Sequence, residues 1–431
     1  MLQKNNPKTI RAWTFYDWAN SVYSLSITTA IFPIYYNSVT QPGSSDIVTF
    51  LGFQFKNTAL YSYALSFSFL LVAFISPLLS GIADVYGNKK AFLKFFCLLG
   101  SLSCASLYFF EGIDSLGIGI IAFILASVGW AGSIVYYNAF LPEIATVDMQ
   151  DRVSARGFAL GYVGSSLLLI FNLFMIMQPA VFGITDSGMA SRISFLMTGV
   201  WWLGFAGYTF YFLPDKTETK PYEGNIFSKG FTELANVFKQ LKSQTALKSF
   251  LFAFFFYNMG VQTVMYVASL FGAKELKMKD AELIITVLII QFVAIGGAYL
   301  FTFLSKKYGN IHAILIAVFV WIFICAAAYF VYTPNQFFAL AFTVGMVMGG
   351  IQSLSRSTYS KMLPATNDNA SYFSFYDVCD KIALVLGTAS YGIIEELTGS
   401  MRNSIVVLIS FFLIGLFLLF RIRNYKMEAA N

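Results

Sequence analysis

Charged residues are scarce in this chain. Of its 431 residues, 12% are Asp, Glu, Lys or Arg and 57% are hydrophobic, whereas a soluble domain usually has about 25% charged residues. A soluble core cannot absorb so much apolar sequence, so the composition excludes an ordinary soluble protein. The net charge of +6 does not indicate a nucleic-acid partner, because the basic residues sort by membrane side.

Residues of common catalytic and metal sites are also few. The chain has one histidine, His312, and four cysteines, which fall in apolar stretches without metal-type spacing. It has no H-E-x-x-H motif and no phosphate-binding glycine loop. These absences argue against a membrane enzyme and an ATP-driven pump, and we expect neither a cofactor nor a metal.

Twelve apolar stretches are long enough to cross a membrane as helices, since about 20 residues span a hydrocarbon layer about 30 Å thick. The first stretch is too long for a cleavable signal peptide and contains an aspartate. The spans are placed at 10–37, 57–82, 90–110, 115–142, 152–178, 191–213, 246–271, 281–304, 311–332, 335–363, 372–395 and 403–423.

The basic residues predict the orientation. Most Lys and Arg lie on the side that holds both termini, and an excess of positive charge is typical of cytoplasmic loops. We therefore expect a multi-pass monomer in the lipid bilayer of the cell membrane, the inner membrane in a bacterium, with both termini in the cytoplasm.

A single long polar connection divides the chain into six spans plus six. We predict an N-terminal bundle over 1–213, a cytoplasmic linker over 214–245 with a surface helix at 227–241, and a C-terminal bundle over 246–431. Short matches support a duplication, because FYDWA at 15–19 aligns with FYNMG at 256–260. An all-α membrane fold of two six-helix bundles related by a pseudo-twofold axis is typical of secondary transporters that bind substrate near the midplane.

Polar stripes mark the helices expected to face a cavity. At 100° per residue, polar residues of the first, seventh and tenth spans each fall on one face, and the repeat adds a face of the fourth span. Aromatic residues beside the stripe add Tyr16. The candidate substrate-binding or coupling residues are Tyr16, Asp17, Asn20, Ser24, Asn138, Asn258, Gln262, Gln352, Ser353 and Arg356.

Asp17 and Arg356 are the charged members of these stripes. Ionised groups inside a bilayer cost about 2.5 kcal/mol or more, so they need partners or a wet cavity. We hypothesise that Asp17 carries a proton or contacts a substrate amine, and that Arg356 binds a carboxylate or phosphate. The alternative is that both snorkel to, or pair near, the cytoplasmic ends of their helices.

Two further charged groups suggest a cytoplasmic gate. Arg152 and Arg156 open the fifth span, where the helix dipole disfavours cations, which predicts acidic partners such as Glu143, Asp148 or Asp151. The segment FYDVCDK opens the eleventh span with Asp377, Asp380 and Lys381. These acids are gate candidates, with simple helix capping as the alternative.

The loop SGIADVYGNKK at 80–90 resembles the signature loop of the major facilitator superfamily. YDWANS, RVSARGFALGYVG, GVQT and GGIQSLSRSTYSKMLP are similar to motifs of the branch that contains vacuolar amino-acid effluxer-like proteins of fungi and their bacterial relatives. The resemblance implies efflux of small polar metabolites and a latch at Asp84. The loop adds Gly81, Asp84, Gly87, Lys89 and Lys90 to the gate candidates.

The sequence therefore predicts a secondary active transporter. Its expected partner is a small polar metabolite, an amino acid or organic anion, moved by alternating access, with efflux and proton coupling as the expected mode. A sugar or peptide permease of the same fold and a membrane sensor that does not transport are the alternatives.

Overall fold

Helices contain most of the residues that the structure describes. The computed structural model describes residues 3–41, 47–215 and 226–424, with the backbone alone at 226–229, 280 and 281. Its helices are α1 (Pro7–Val22), α2 (Ile31–Thr40), α3 (Asn57–Val85), α4 (Lys89–Ser106), α5 (Leu116–Ala139), α6 (Leu141–Ile144), α7 (Gln150–Met177), α8 (Ser187–Phe212), α9 (Ile226–Ser243), α10 (Thr245–Glu275), α11 (Asp280–Tyr308), α12 (Asn310–Ala328), α13 (Pro334–Met362), α14 (Asn369–Thr398) and α15 (Met401–Arg421).

Short elements join these helices. The π-helical segment Tyr23–Ala30 connects α1 to α2, and single 3-10 turns occupy Leu107–Phe109, Ile113–Ser115 and Pro179–Phe182. The strands β1 (Ile47–Phe50) and β2 (Phe53–Lys56) form an antiparallel hairpin.

Each predicted span lies on a helix of the described residues. Ten of these helices are long and apolar enough to cross a membrane by composition alone. The two that fail this criterion are the first span, which the π-helical segment divides, and α14, which carries Asp377, Asp380 and Lys381. Both of these spans carry predicted functional charges.

The spans pack as two groups of six. In the first group α1 lies against α7 and α8, and in the second α10 lies against α14 and α15. The groups meet where α7 contacts α11 and α13, and where α14 contacts α3 and α5. We call the end of the molecule that carries α9 and the α3–α4 turn the linker face, and the opposite end, with β1 and β2, the hairpin face.

The linker helix α9 touches both groups. The Tyr372 hydroxyl of α14 donates a hydrogen bond to Gln240 of α9 (3.0 Å). On α3, Gly81 lies under the α9 backbone, so that a Cβ at Gly81 would come within 2.5 Å of the Gly230 carbonyl oxygen. The predicted surface helix therefore exists, and it spans the boundary between the groups.

Glycines allow α11 and α13 to touch through their backbones. A Cβ at Gly297 would collide with the Met346 carbonyl group, and one at Gly349 would collide with that of Ala294. Such close approach is how helices associate in a bilayer, where apolar attraction between them is weak. The α11–α13 pair therefore forms one rigid unit of the second group.

We predict that Gly297→Ala lowers the melting temperature of the detergent-purified protein, because the added methyl group must displace the Met346 backbone at a cost of about 1–3 kcal/mol. The neighbouring Gly296→Ala is the matched control, since a Cβ there meets no atom within 4 Å and alanine favours the helix. Equal melting temperatures for the two variants would contradict the close-contact interpretation.

Candidate functional site

A cavity of about 330 Å³ lies between the two groups of spans. It extends toward the hairpin face, because its lining includes Thr29 beside the start of α2, Phe271 near the end of α10 and Ala328 at the end of α12. Eight of the predicted substrate-binding or coupling residues line it: Asp17, Asn20, Ser24, Asn138, Asn258, Gln262, Gln352 and Arg356.

Asp17 and Arg356 form an ion pair at the linker end of this cavity. Both Arg356 Nη atoms lie 3.3 Å from Asp17 Oδ2, and the residues are only 5% and 3% exposed. The Tyr137 hydroxyl donates a third hydrogen bond to the same oxygen (2.7 Å). The pair joins α1 of the first group to α13 of the second, so it bridges the two groups.

Arg356 also donates two hydrogen bonds to Ser154 of α7. Its Nε donates to Ser154 Oγ (2.9 Å) and its Nη2 donates to the Ser154 carbonyl oxygen (2.8 Å). The guanidinium also lies 4.1 Å from the ring centre of Phe158 and 4.9 Å from that of Trp13, which adds cation–π attraction. The predicted carboxylate-binding fork is therefore occupied by the protein itself in this conformation.

Gly157 makes room for the ion pair. A Cβ at this position on α7 would collide with Asp17 Oδ2 and would lie 3.1 Å from Arg356 Nη2. The glycine lets α7 approach closely enough for Ser154 to reach the guanidinium. It belongs to the RVSARGFALGYVG motif, which in the sequence analysis supported the family resemblance alone.

A second charged cluster lies on the opposite wall of the cavity. Lys381 Nζ is 2.7 Å from Asp380 and 3.3 Å from Asp377. Asp380 Oδ1 also accepts hydrogen bonds from Asn258 (2.8 Å) and Gln262 (2.7 Å) of α10. The cluster thus joins α14 to α10 around one ammonium group.

The predicted gate position of this cluster is wrong. The sequence placed the acids in the first turn of the eleventh span, but α14 begins at Asn369, so Asp377 lies eight residues, or about 12 Å, inside it at 1.5 Å per residue. Asp377, Asp380 and Lys381 all line the cavity, so they cannot cap the helix.

Two predicted cavity residues do not line the cavity. Tyr16 is fully buried and packs against Tyr137 and Phe210, because it lies next to Asp17 and points into the first group. Ser353 is also fully buried, and its carbonyl oxygen accepts a hydrogen bond from Ser154 of α7 (2.8 Å). Both side chains fill the core instead.

The polar stripes did not predict several other lining residues. The Tyr162 hydroxyl of α7 donates to Gln352 Oε1 of α13 (2.6 Å), another bond between the groups. Trp130, Tyr376 and Gln291 also line the cavity. Lys381 lies 5.3 Å from the ring centre of Trp130. Trp130 had a signal in the repeat, which marks the fourth span as the counterpart of the tenth.

Polar contacts between the groups close the linker face around Asp84. Its carboxylate accepts hydrogen bonds from the backbone N–H groups of Ala370 (3.2 Å) and Ser371 (2.7 Å), in the first turn of α14. Lys89 lies 3.3 Å from Asp84, pairs with Glu143 and donates to the Asn367 carbonyl oxygen (3.0 Å). A carboxylate at a helix N-terminus is favourably placed for the helix dipole.

A related network surrounds Asp151 at the start of α7. Its carboxylate accepts hydrogen bonds from Lys361 (2.6 Å), Ser305 (2.9 Å) and Asn310 (2.8 Å). All three donors belong to the second group. Each group thus places the first turn of one helix, α7 or α14, against polar residues of the other group.

The remaining gate candidates have local roles or differ from expectation. Lys90 pairs with Asp215 (2.9 Å), and Gly87 has a φ of 59°, which suits glycine. Arg152 and Arg156 are exposed, and in the described part of the chain neither lies within ion-pair distance of a carboxylate. The expected partners Glu143 and Asp151 bind Lys89 and Lys361 instead, so the predicted arginine pairing is wrong.

Known structures with this architecture identify its class. The human organic anion transporter MFSD10 (TETRAN) gives a TM-score of 0.73 at 10% identity and covers 97% of this chain and 100% of its own. The major facilitator superfamily transporter FucP, in the outward conformation, gives a TM-score of 0.71 at 13% identity, covering 98% and 99%. The predicted two-bundle fold is confirmed, and it is that of a major facilitator superfamily transporter.

Sequence relatives identify the family. The family model "Vacuole effluxer Atg22 like" matches residues 5–430, and the chain belongs to this family. The uncharacterized MFS-type transporter YxiO of Bacillus subtilis is 31% identical over 419 residues, 97% of this chain and 95% of that protein. Autophagy-related protein 22 of Yarrowia lipolytica is 24% identical over 482 residues, 90% of this chain and 80% of that protein.

We predict that Arg356→Met lowers the melting temperature strongly and that adding Asp17→Asn restores part of the loss. Removing one partner of a buried ion pair costs about 3–5 kcal/mol, because the other charge is left unpaired. Glu395→Gln is the control, since its partner Lys274 is 3.6 Å away and 59% exposed and such pairs contribute about 0–1 kcal/mol. A double variant no more stable than Arg356→Met would contradict the coupling.

We also predict that Asp151→Ala widens the linker face, because three hydrogen bonds between the groups are lost together. Cysteines that carry spin labels replace the exposed Lys94 and Lys307 in a variant whose four native cysteines are alanine. Double electron–electron resonance then measures the distance between the two labels. Asp148→Ala, an exposed acid three residues earlier, is the matched control. Identical distance distributions for the two variants would refute this gating role.

Proposed function

We propose that the chain exports a small zwitterionic metabolite of the amino-acid class by alternating access. The observation that carries this proposal is a cavity between two groups of helices that contains fixed charges of both signs and is closed at one face by polar contacts between the groups. Such a cavity holds a solute near the midplane while the groups rock about it.

The contacts at the linker face suit a gate that must open repeatedly. Asp84, Asp151 and Arg356 join the groups through hydrogen bonds and ion pairs, which water can replace when the face opens. A typical hydrogen bond contributes only about 0.5–1.5 kcal/mol net for this reason. We propose that this face closes in one half of the cycle and opens in the other.

The cavity chemistry favours a zwitterion. The α14 cluster and the Asp17–Arg356 pair place ammonium, guanidinium and carboxylate groups on its walls, and Asn258 and Gln262 add amides beside Asp380. A volume of about 330 Å³ lies at the lower end of the range for small-molecule sites. An organic anion would use the same cations.

A sugar permease is the second candidate, because aromatic rings also line the cavity. Trp130, Phe158, Tyr162 and Tyr376 contribute to its walls, and aromatic rings combine apolar contact with polar handles. The charged groups favour the zwitterion, since a neutral sugar carries no charge that could pair with them.

The charge distribution supports an orientation of the chain in the membrane. The linker face carries Lys89, Lys90 and Lys361 together with exposed Arg152 and Arg156, and positive charge is concentrated in cytoplasmic loops. We therefore place the linker face in the cytoplasm and the hairpin face outside. Efflux driven by an inward proton gradient is the proposed mode.

We predict that an α-amino acid raises the melting temperature of the purified protein in a screen of amino acids, sugars and dipeptides. A ligand that binds only the folded state stabilises it by about 2.7 kcal/mol at a hundredfold excess over its Kd. Gln262→Ala should reduce the shift, whereas Gln178→Ala, an exposed residue beyond α7, should not.

Counterflow of the same solute in proteoliposomes separates a transporter from a sensor, because a sensor binds without exchange. A shift with sugars alone would favour the second candidate. A stabilising solute that shows no counterflow in the wild type would refute the transport proposal.

A further inference from the structure

Asp377 is the acid of the cavity that the protein satisfies least. Its Oδ1 lies 3.3 Å from Lys381 Nζ. Its Oδ2 is buried, and no donor among the described residues reaches it. The residue is only 3% exposed, yet it lines the cavity.

The other two cavity acids are well held. Asp17 accepts hydrogen bonds from Tyr137 and from both Nη atoms of Arg356. Asp380 accepts them from Lys381, Asn258 and Gln262. Hydrogen bonds to the ionised form stabilise a carboxylate, so the protein supports the anionic form of both acids more than that of Asp377.

The charge balance of the cavity points to the same residue. Among the residues that the structure describes, its charged lining consists of Asp17, Arg356, Asp377, Asp380 and Lys381. Arg356 neutralises Asp17, and Lys381 makes its shorter contact with Asp380, at 2.7 Å. Asp377 is the third acid against two cations. A buried anion without a cation of its own is costly, and neutralising it removes the cost.

The groups around Asp377 leave this balance unchanged. Its charged neighbours are Lys381 and Asp380 on α14 itself, where Cys379 also lies close, and Tyr136 faces it from α5. The α10 groups facing the cluster are the amides of Asn258 and Gln262 and the hydroxyl of Tyr266. The ring centre of Phe69 on α3 lies 5.5 Å from Lys381 Nζ.

We propose that Asp377 is the proton-binding residue of the transport cycle, and that Asp17 serves instead to close the linker face. With the cavity accessible from the hairpin face, the Asp377 carboxylate accepts a proton from hydronium, which becomes water, and the resulting O–H is a donor at Oδ2. Lys381 then pairs with Asp380 alone. When the linker face opens, the carboxylic acid returns the proton to water and Lys381 again shares both acids.

This inference rests on the proposed transport function, but its first test requires no solute. The purified protein in nanodiscs is titrated from alkaline to acidic pH, and infrared difference spectra follow the carbonyl stretch of protonated carboxyl groups. We expect the isosteric Asp377→Asn to lose one carboxyl signal that the wild type gains, and Asp377→Glu to restore it. Asp17→Asn and Asp380→Asn should keep that signal, because those acids stay ionised.

Each outcome decides the assignment. Survival of the signal in Asp377→Asn, or its loss only in Asp17→Asn, overturns it. Stabilisation of the wild type by sodium over choline that Asp377→Asn abolishes also overturns it, because the site would then hold a metal cation.

A second test uses counterflow of a mixture of radiolabelled amino acids, with an internal pH dye. We expect a pH gradient to accelerate counterflow in the wild type, and we expect the counterflow rate of Asp377→Asn to be independent of that gradient. Acceleration that persists in this variant contradicts the proton role. Absence of counterflow in the wild type contradicts the transport proposal instead, and leaves the infrared result to judge the proton site.

Discussion

The ion pair between Asp17 and Arg356 is the interaction on which the closed linker face depends. It lies between the two groups of spans, and its side chains are almost fully buried. A buried charge is tolerated only when its partner and hydrogen bonds are present, so Tyr137 and Ser154 must also be in place. Four helices, α1, α5, α7 and α13, therefore contribute side chains to this one network of hydrogen bonds. The floor of the cavity is where they meet.

Contacts within a group and contacts between groups differ in kind. Inside the second group, α11 and α13 touch through glycine and carbonyl atoms, an arrangement without space for sliding. Between the groups, Asp84 and Asp151 hold helix ends through hydrogen bonds that water can replace. In the proposed mechanism the surfaces that separate are thus the polar ones, because packed cores resist gradual deformation. Close backbone contacts thus hold helices together within a group, whereas polar contacts join the two groups.

Periodicity and the internal repeat predicted the helices and the residues that face the cavity from α1, α10 and α13. They could not predict depth, because span boundaries carry errors of several residues, and an early start moves Asp377 from a helix cap to the cavity wall. They also could not show which side of a stripe meets a neighbouring helix. Ser353 was therefore predicted to line the cavity, but it lies in the core. Ion pairs between distant spans, such as Asp17 with Arg356, have no local signature in the chain.

The π-helical segment Tyr23–Ala30 divides the first span into two α-helices. Its wider turn breaks the angular register, so the polar stripe that contains Asp17 and Asn20 does not continue to Tyr35, whose hydroxyl instead binds the Phe110 carbonyl oxygen (2.6 Å). Segments of this type are rare and often occur at functional sites. The first span therefore consists of two α-helices, α1 and α2, joined by a segment of different pitch. The bond to Arg356 lies on α1, so a change in the angle between α1 and α2 would not by itself break it.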